Sequence, residues 1–336
     1  MVSALLLASP ALGNPPSWSP PLTPDGVPDL QGVWSNASLT YLTRPPGQKL
    51  VVSDAEAAAL VRSNPVVRRR SEEATSGPSR PEPASVGAAS YNAFWLDAGA
   101  TLGKVNGQWR TSWLVDPPSG QLPFSKQGEA LVAKARIFAS EADTPTDPER
   151  LQPWDRCLIG SRGSGGPGML NNIYNSNYQI VQTPGAVVIL VEMIHEPRII
   201  PLFPDKAAAE AGHRPAAIQP WLGDSVGWWE KGVLVVETTQ VNREQGRAGP
   251  LYLSPAGKVT ERFTRVSPSE ILYQFEVDDP TYYSQIWRAE MPLIAKRGRL
   301  FEYACHEGNY ALSNILRGAR IAEHAKAGAA KANGGE

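Results

Sequence analysis

Four histidines occur in this chain of 336 residues, and two of them fall where strand-like sequence could aim them at a reacting group. His195 closes the run Val187-Val-Ile-Leu-Val-Glu-Met-Ile-His195. His306 sits in Phe301-Glu-Tyr-Ala-Cys-His-Glu-Gly-Asn-Tyr310, the densest polar and aromatic cluster of the sequence. Imidazole changes charge near neutral pH, which suits it to general acid and base catalysis. His213 and His324 lie in loop-like or terminal sequence, so His195 and His306 are the expected catalytic pair. Glu192 and Glu302 are the carboxylates expected to orient them. Tyr303, Asn309, Asp224, Arg198 and Tyr174 supply the donors and acceptors expected to bind substrate. Tyr174 belongs to Asn171-Asn-Ile-Tyr-Asn-Ser-Asn-Tyr178, whose amides and phenols either grip a polar ligand or satisfy loop backbone.

Strand alternation sharpens the choice of residues. In the 187–195 run, Glu192 shares a face with Val188 and Leu190, and His195 shares the other with Val187, Ile189 and Val191. One of the two must face apolar neighbours. By the same reasoning Glu237 aligns with Val233 and Val235, and Glu261 with Val259 and Phe263. A buried carboxylate is costly unless paired, and Arg198, Arg262 and Arg288 are the partners at hand. Such residues are either struts of the fold or inward groups with shifted titration in a ligand cavity.

Other patterns carry less. His195, Glu196, His306 and Glu307 would make a two-histidine, one-carboxylate metal set if their strands met, which keeps a metal-dependent hydrolase as an alternative. Gly223-Asp-Ser-Val-Gly227 satisfies the five-residue pattern of a serine-hydrolase elbow. It lacks the preceding buried strand and following helix that make that turn reactive, and Asp224 and Ser225 read equally as turn chemistry. The Gly-rich stretch 160–168 has no strand-to-helix context and is no phosphate loop.

The elements that must position these residues change character near residue 171. Before it, residues 14–170 read as an irregular wrap: a Pro-rich start, the strand-like Asp29-Leu-Gln-Gly-Val-Trp34, and a capping box Ser53-Asp-Ala-Glu56 opening a helix to about Arg62. Residues 65–90 read as a polar loop, 109–118 as a strand stopped by prolines, and 125–140 as a second helix. From 171 to 308 the hydrophobic period is two, with expected strands at 187–195, 198–202, 233–239, 259–266, 271–277, 283–291 and 300–305. Short strands joined by turns predict a mainly β fold: an antiparallel up-and-down meander closed into a lipocalin-like barrel with a ligand-accommodating interior, an open sandwich being the alternative. Residues 309–336 read as a C-terminal helix with a frayed tail, and the whole as one folded unit.

Composition bounds the partners. With 32 basic and 33 acidic side chains, a net charge of −1 offers no general pull toward nucleic acid or an anionic membrane. No segment approaches the roughly 18 apolar residues of a spanning helix, so no membrane insertion is expected. Gly and Pro at 30 and 31 residues, with ten Trp and ten Tyr, argue against a helical bundle. Residues 1–13 are apolar and end in small residues like the back half of a signal peptide without its cationic start. Only Cys157 and Cys305 are present; in an exported protein they read as one disulfide, and otherwise as two inert thiols.

The run Thr23-Pro-Asp-Gly-Val-Pro-Asp-Leu-Gln-Gly-Val-Trp34, the 179–198 stretch, Gly223-Asp-Ser225, Glu261-Arg-Phe-Thr264 and Tyr303-Ala-Cys-His-Glu-Gly-Asn-Tyr310 together resemble a family of exported bacterial proteins with no settled activity. The resemblance implies export and a single-unit fold, and names no reaction. The expectation is therefore a periplasmic or secreted, cofactor-independent enzyme of lyase, isomerase or hydratase type. Its substrate would be a small, partly apolar, hydroxylated molecule. A noncatalytic lipocalin-like binder is the alternative beside the hydrolase.

Overall fold

The computed structural model describes residues 18–76, 96–141, 147–160, 163–246 and 249–333. The expected signal-peptide segment, 1–13, lies outside them, as does the expected loop from residue 77 onward to 90.

The N-terminal part holds β1 (Gly32–Ser35), β2 (Val51–Val52), α1 (Asp54–Ser63), α2 (Pro65–Ser76), β3 (Lys104–Val105), β4 (Gln108–Arg110), β5 (Leu114–Asp116) and α3 (Lys126–Glu141). Helix α1 begins as its sequence predicts: Ser53 Oγ accepts from the Glu56 amide and Glu56 reaches back to the Ser53 amide. Residues 65–76, expected as loop, form α2. Pro65 stands at the first helical position, where its missing N–H costs nothing. The Arg69–Glu73 pair at 2.8 Å then supports the helix one turn apart.

The remaining strands are β6 (Asn177–Thr183), β7 (Ala186–Val191), β8 (Pro197–Phe203), β9 (Asp224–Glu230), β10 (Val233–Thr239), β11 (Lys258–Ser267), β12 (Glu270–Asp278) and β13 (Trp287–Ala295), with α4 (Lys206–Ala211), α5 (Arg243–Gly246) and α6 (Ala311–Asn333). Strands β6 to β13 hydrogen-bond in chain order, and β1 closes the ring by pairing Trp34 with Tyr178 of β6 and with Ala295 of β13. The fold is a closed nine-stranded barrel, mainly β, with few short helices. Strand β5 extends β13, and β2, β4 and β3 form a separate small sheet.

Four expectations need correction. The strand that closes the barrel comes from the segment read as wrap: β1 pairs with both β6 and β13 and buries the Trp34 side chain in the main core. Strands β8 and β9 pair in parallel, not antiparallel; the connection between them, residues 204–223 with α4, is long enough for a crossover. The strand starting at Val187 stops at Val191, and the last strand is Trp287–Ala295, with no strand at 300–305.

The interior of the barrel is filled. Ile180, Ile189, Ile200, Leu234, Phe263, Tyr273, Trp287 and Met291 are fully buried in one continuous core. Residues 163–170 enter from one end, where the Tyr178 hydroxyl donates to the Ser164 carbonyl at 3.0 Å and the Asn36 amide donates to the Met169 carbonyl at 2.6 Å. The closed, mostly antiparallel meander is consistent with a lipocalin-like barrel, with these side chains packed in its interior. Hairpin turns occupy the other end, at 184–185, 231–232 and 268–269. The longer connections 192–196, 240–257 and 279–286 gather at the plugged end, and the chemistry must be sought there.

Candidate functional site

Glu192 begins the turn between β7 and β8. Its amide still donates to the Asn177 carbonyl at 3.0 Å, continuing the β6–β7 ladder for one residue. Its carboxylate, 3% exposed, accepts from Asn175 Nδ2 at 2.9 Å, Asn177 Nδ2 at 2.8 Å and the Phe301 amide at 3.1 Å. Glu192 is thus the buried member of the pair that alternation left open. It holds the Asn-rich loop and the 301–305 segment against the barrel end.

Met193 and Ile194 stay buried although the strand has ended, which is why their apolar pattern reads as strand in the sequence. The chain turns back through Ile194 and His195, both left-handed at φ +66° and +50°. For a β-branched residue that conformation is a genuine outlier, and strain of about 1–3 kcal/mol persists only where surroundings enforce it. Asn175 at φ +52° and Cys157 at +56° are left-handed as well, and both belong to the elements packed around this turn.

His195 is exposed, and its Nδ1 lies 3.2 Å from the Tyr303 carbonyl oxygen. A carbonyl only accepts, so Nδ1 carries the proton and Nε2 is left as the free basic nitrogen facing solvent. The next residue, Glu196, is half-buried; among the described residues its buried Oε2 has no hydrogen-bond partner. Burial pushes its carboxyl above the ordinary value of 4.5. An oriented imidazole base and an adjacent carboxyl inclined to hold its proton therefore share one strained turn.

The Cys157–Cys305 disulfide joins the middle of the chain to this end, with Cα atoms 5.8 Å apart. Tyr303 packs partly buried on the main core while presenting its carbonyl to His195, and Asn309 Nδ2 donates to Cys157 Sγ at 3.6 Å. His306 and Glu302 are exposed on the same segment, and their side chains make no polar contact among the described residues. Tyr174 is partly buried against the core.

Arg198 and Asp224 belong elsewhere. Arg198 faces the barrel interior and forms a two-pronged pair with Glu261, which also accepts from the Tyr273 hydroxyl at 2.5 Å and the Gly168 amide at 3.3 Å. Glu261 is inward with Val259 and Phe263, as alternation predicts, and Arg198 is its partner. Asp224 lies on the outer barrel face. His213 Nδ1 approaches its Oδ2 at 2.8 Å, while His213 Nε2 lies 3.5 Å from Glu237, itself 3.4 Å from Lys258. His213, which loop-like sequence hides, is thus clamped between two buried carboxylates. Ser225 points the other way, into the barrel, with its Oγ 2.8 Å from Thr238 Oγ1. Adjacent strand residues face opposite sides, so Ser225 and His213 cannot form a nucleophile and base. Among the described residues no group of three His, Cys, Asp or Glu side chains is placed to hold a metal, and His195, Glu196, His306 and Glu307 do not assemble as one.

Comparison with protein-family models, curated proteins and solved structures finds no match to this chain.

Proposed function

We propose that this is an exported enzyme that moves a proton on a small, partly apolar, hydroxylated molecule, in the manner of a lyase, isomerase or hydratase. The reading rests on the 192–196 turn. His195 Nε2 takes the proton, its ring held by the Nδ1 donation to Tyr303. Glu196, whose burial favours the protonated carboxyl, returns a proton to the product or leaving group. Glu192 positions both by fixing the turn to the 301–305 segment. His306 and Glu302, exposed on the neighbouring segment, meet the substrate hydroxyls, with Tyr303 and Asn309 beside them on the same segment. These side chains suffice for the chemistry without a cofactor. Export is supported by the disulfide, which persists in oxidising compartments.

A proton-transfer enzyme exchanges substrate C–H protons with solvent even without net turnover. Exchange in deuterated water is therefore the test, followed by NMR over a panel of small hydroxylated carbonyl compounds. The expected result is exchange by the wild type that falls about 10²- to 10⁴-fold in His195→Ala, with unchanged circular dichroism. Nitrogen-15 imidazole shifts should report the Nδ1–H tautomer of His195. Full exchange in His195→Ala, or the opposite tautomer, would sink the proposal.

A further inference from the structure

A second site is lined by residues of α3, α5 and the loops that follow β10 and β12, none of them in the β7–β8 turn. Helix α3 and the loops that follow β10 and β12 border an open cavity of about 510 Å³. Its walls are apolar: Leu131 and Ala135 from α3, Leu253 and Tyr282 from the loops. Ala135, Leu253 and Tyr282 are buried members of the main core, so the floor is continuous with the folded body.

The walls are built rigidly. Asp279 accepts from the Ser254 amide at 2.6 Å, from Ser254 Oγ at 3.0 Å and from the Thr281 amide at 3.0 Å, locking the two loops together. Gly128 lets α3 approach the Tyr282 carbonyl so closely that a Cβ there would sit 1.8 Å from its oxygen. The space is preformed and within the size range of small-molecule sites.

Two cations border it, Lys134 of α3 and Arg243 of α5. Neither has an ion-pair or hydrogen-bond partner for its side chain among the described residues. Arg110, Arg156, Arg198, Arg262 and Arg288 are all paired with carboxylates. The nearest acid in sequence, Glu244, is taken by Arg156 at 2.9 Å. Among the described residues no carboxylate lines the cavity to neutralise the two charges.

We infer that this cavity binds a small amphipathic anion, a carboxylate head on an aliphatic or aromatic body. The body lies on Leu131, Ala135, Leu253 and Tyr282, and the head meets Lys134 and Arg243 at the mouth. The site shares no lining residue with the 192–196 turn.

Calorimetric titration of the full chain with octanoate, and with octan-1-ol as its neutral counterpart, tests this. Octanoate should bind at least tenfold more tightly than octan-1-ol. Lys134→Glu and Arg243→Glu should each weaken octanoate about tenfold and leave octan-1-ol unchanged. Ala135→Trp, which fills the cavity, should remove both, and backbone NMR shifts of wild type should move at Leu131, Leu253 and Tyr282 whether or not that variant folds. Absence of octanoate binding overturns the inference. So do equal affinity for acid and alcohol, insensitivity to both charge reversals, or shifts mapping to another surface.

Discussion

Replacing Arg198 with methionine breaks the Arg198–Glu261 ion pair inside the barrel. Both side chains are buried, at 1% and 0% exposure, and the substitution leaves the Glu261 carboxylate with only the Tyr273 hydroxyl and the Gly168 amide. Breaking a buried pair from one side costs about 3–5 kcal/mol, because the remaining charge is desolvated and uncompensated. Set against a typical total of about 5–15 kcal/mol, that is a large share of the stability. At about 2 °C per kcal/mol, the melting temperature should drop by roughly 6–10 °C. The double variant Arg198→Met, Glu261→Gln removes the charge while keeping an acceptor for Tyr273 and Gly168, and should regain most of the loss. Urea unfolding followed by tryptophan fluorescence, with the disulfide intact, measures all three. If Arg198→Met unfolds within 1 kcal/mol of wild type, or the double variant is weaker than either single change, the interior pair is not the strut described above. The same series separates a strut from a substrate contact, since a strut should change stability without a specific effect on proton exchange.

Three further outcomes are expected. Reducing the Cys157–Cys305 bond opens a link between residues 148 apart, which in the chain-entropy treatment costs about 5 kcal/mol; an unfolding midpoint indifferent to reductant would contradict this. The folded-state pKa of Glu196 is raised above 4.5, so the folded protein holds that proton more tightly and loses stability as pH rises through the folded value. Glu196→Gln should therefore be more stable than wild type at neutral pH and equal to it below about pH 4.5, whereas parallel stability profiles would show that the carboxyl is not under strain. Gly166 is left-handed at φ +87°, and a Cβ there would sit 2.7 Å from Arg198 Nη1; Gly166→Ala should cost about 2 kcal/mol or more in urea unfolding, and a neutral result would argue against the plug seating on the ion pair.

What could be read in advance was local. The alternation of β12, every second residue buried from Ile271 to Val277, is written in consecutive residues, as is the Ser53 capping box. So is the inward direction of Glu261, fixed by its spacing from Val259 and Phe263. The barrel followed from such signals, as did the narrowing of the buried member of the 187–195 run to Glu192 or His195. The 192–196 turn did not, because Met193 and Ile194 continue an apolar pattern while their burial comes from elements distant in the chain. In the sequence Glu196 reads only as a metal ligand and His213 only as loop, because the elements that bury them are distant in the chain.

By itself the sequence determined the period of strands such as β12, the capping box of α1 and the face that Glu261 shares with Val259 and Phe263, since these depend on neighbours within a few positions. Only the tertiary structure decided that Arg198 answers Glu261 across 63 residues, that Tyr303 orients His195 across 108, and that β1 returns to close the ring. Those partners meet because burial of one continuous core brings remote segments together, and no local spacing encodes which remote segment arrives.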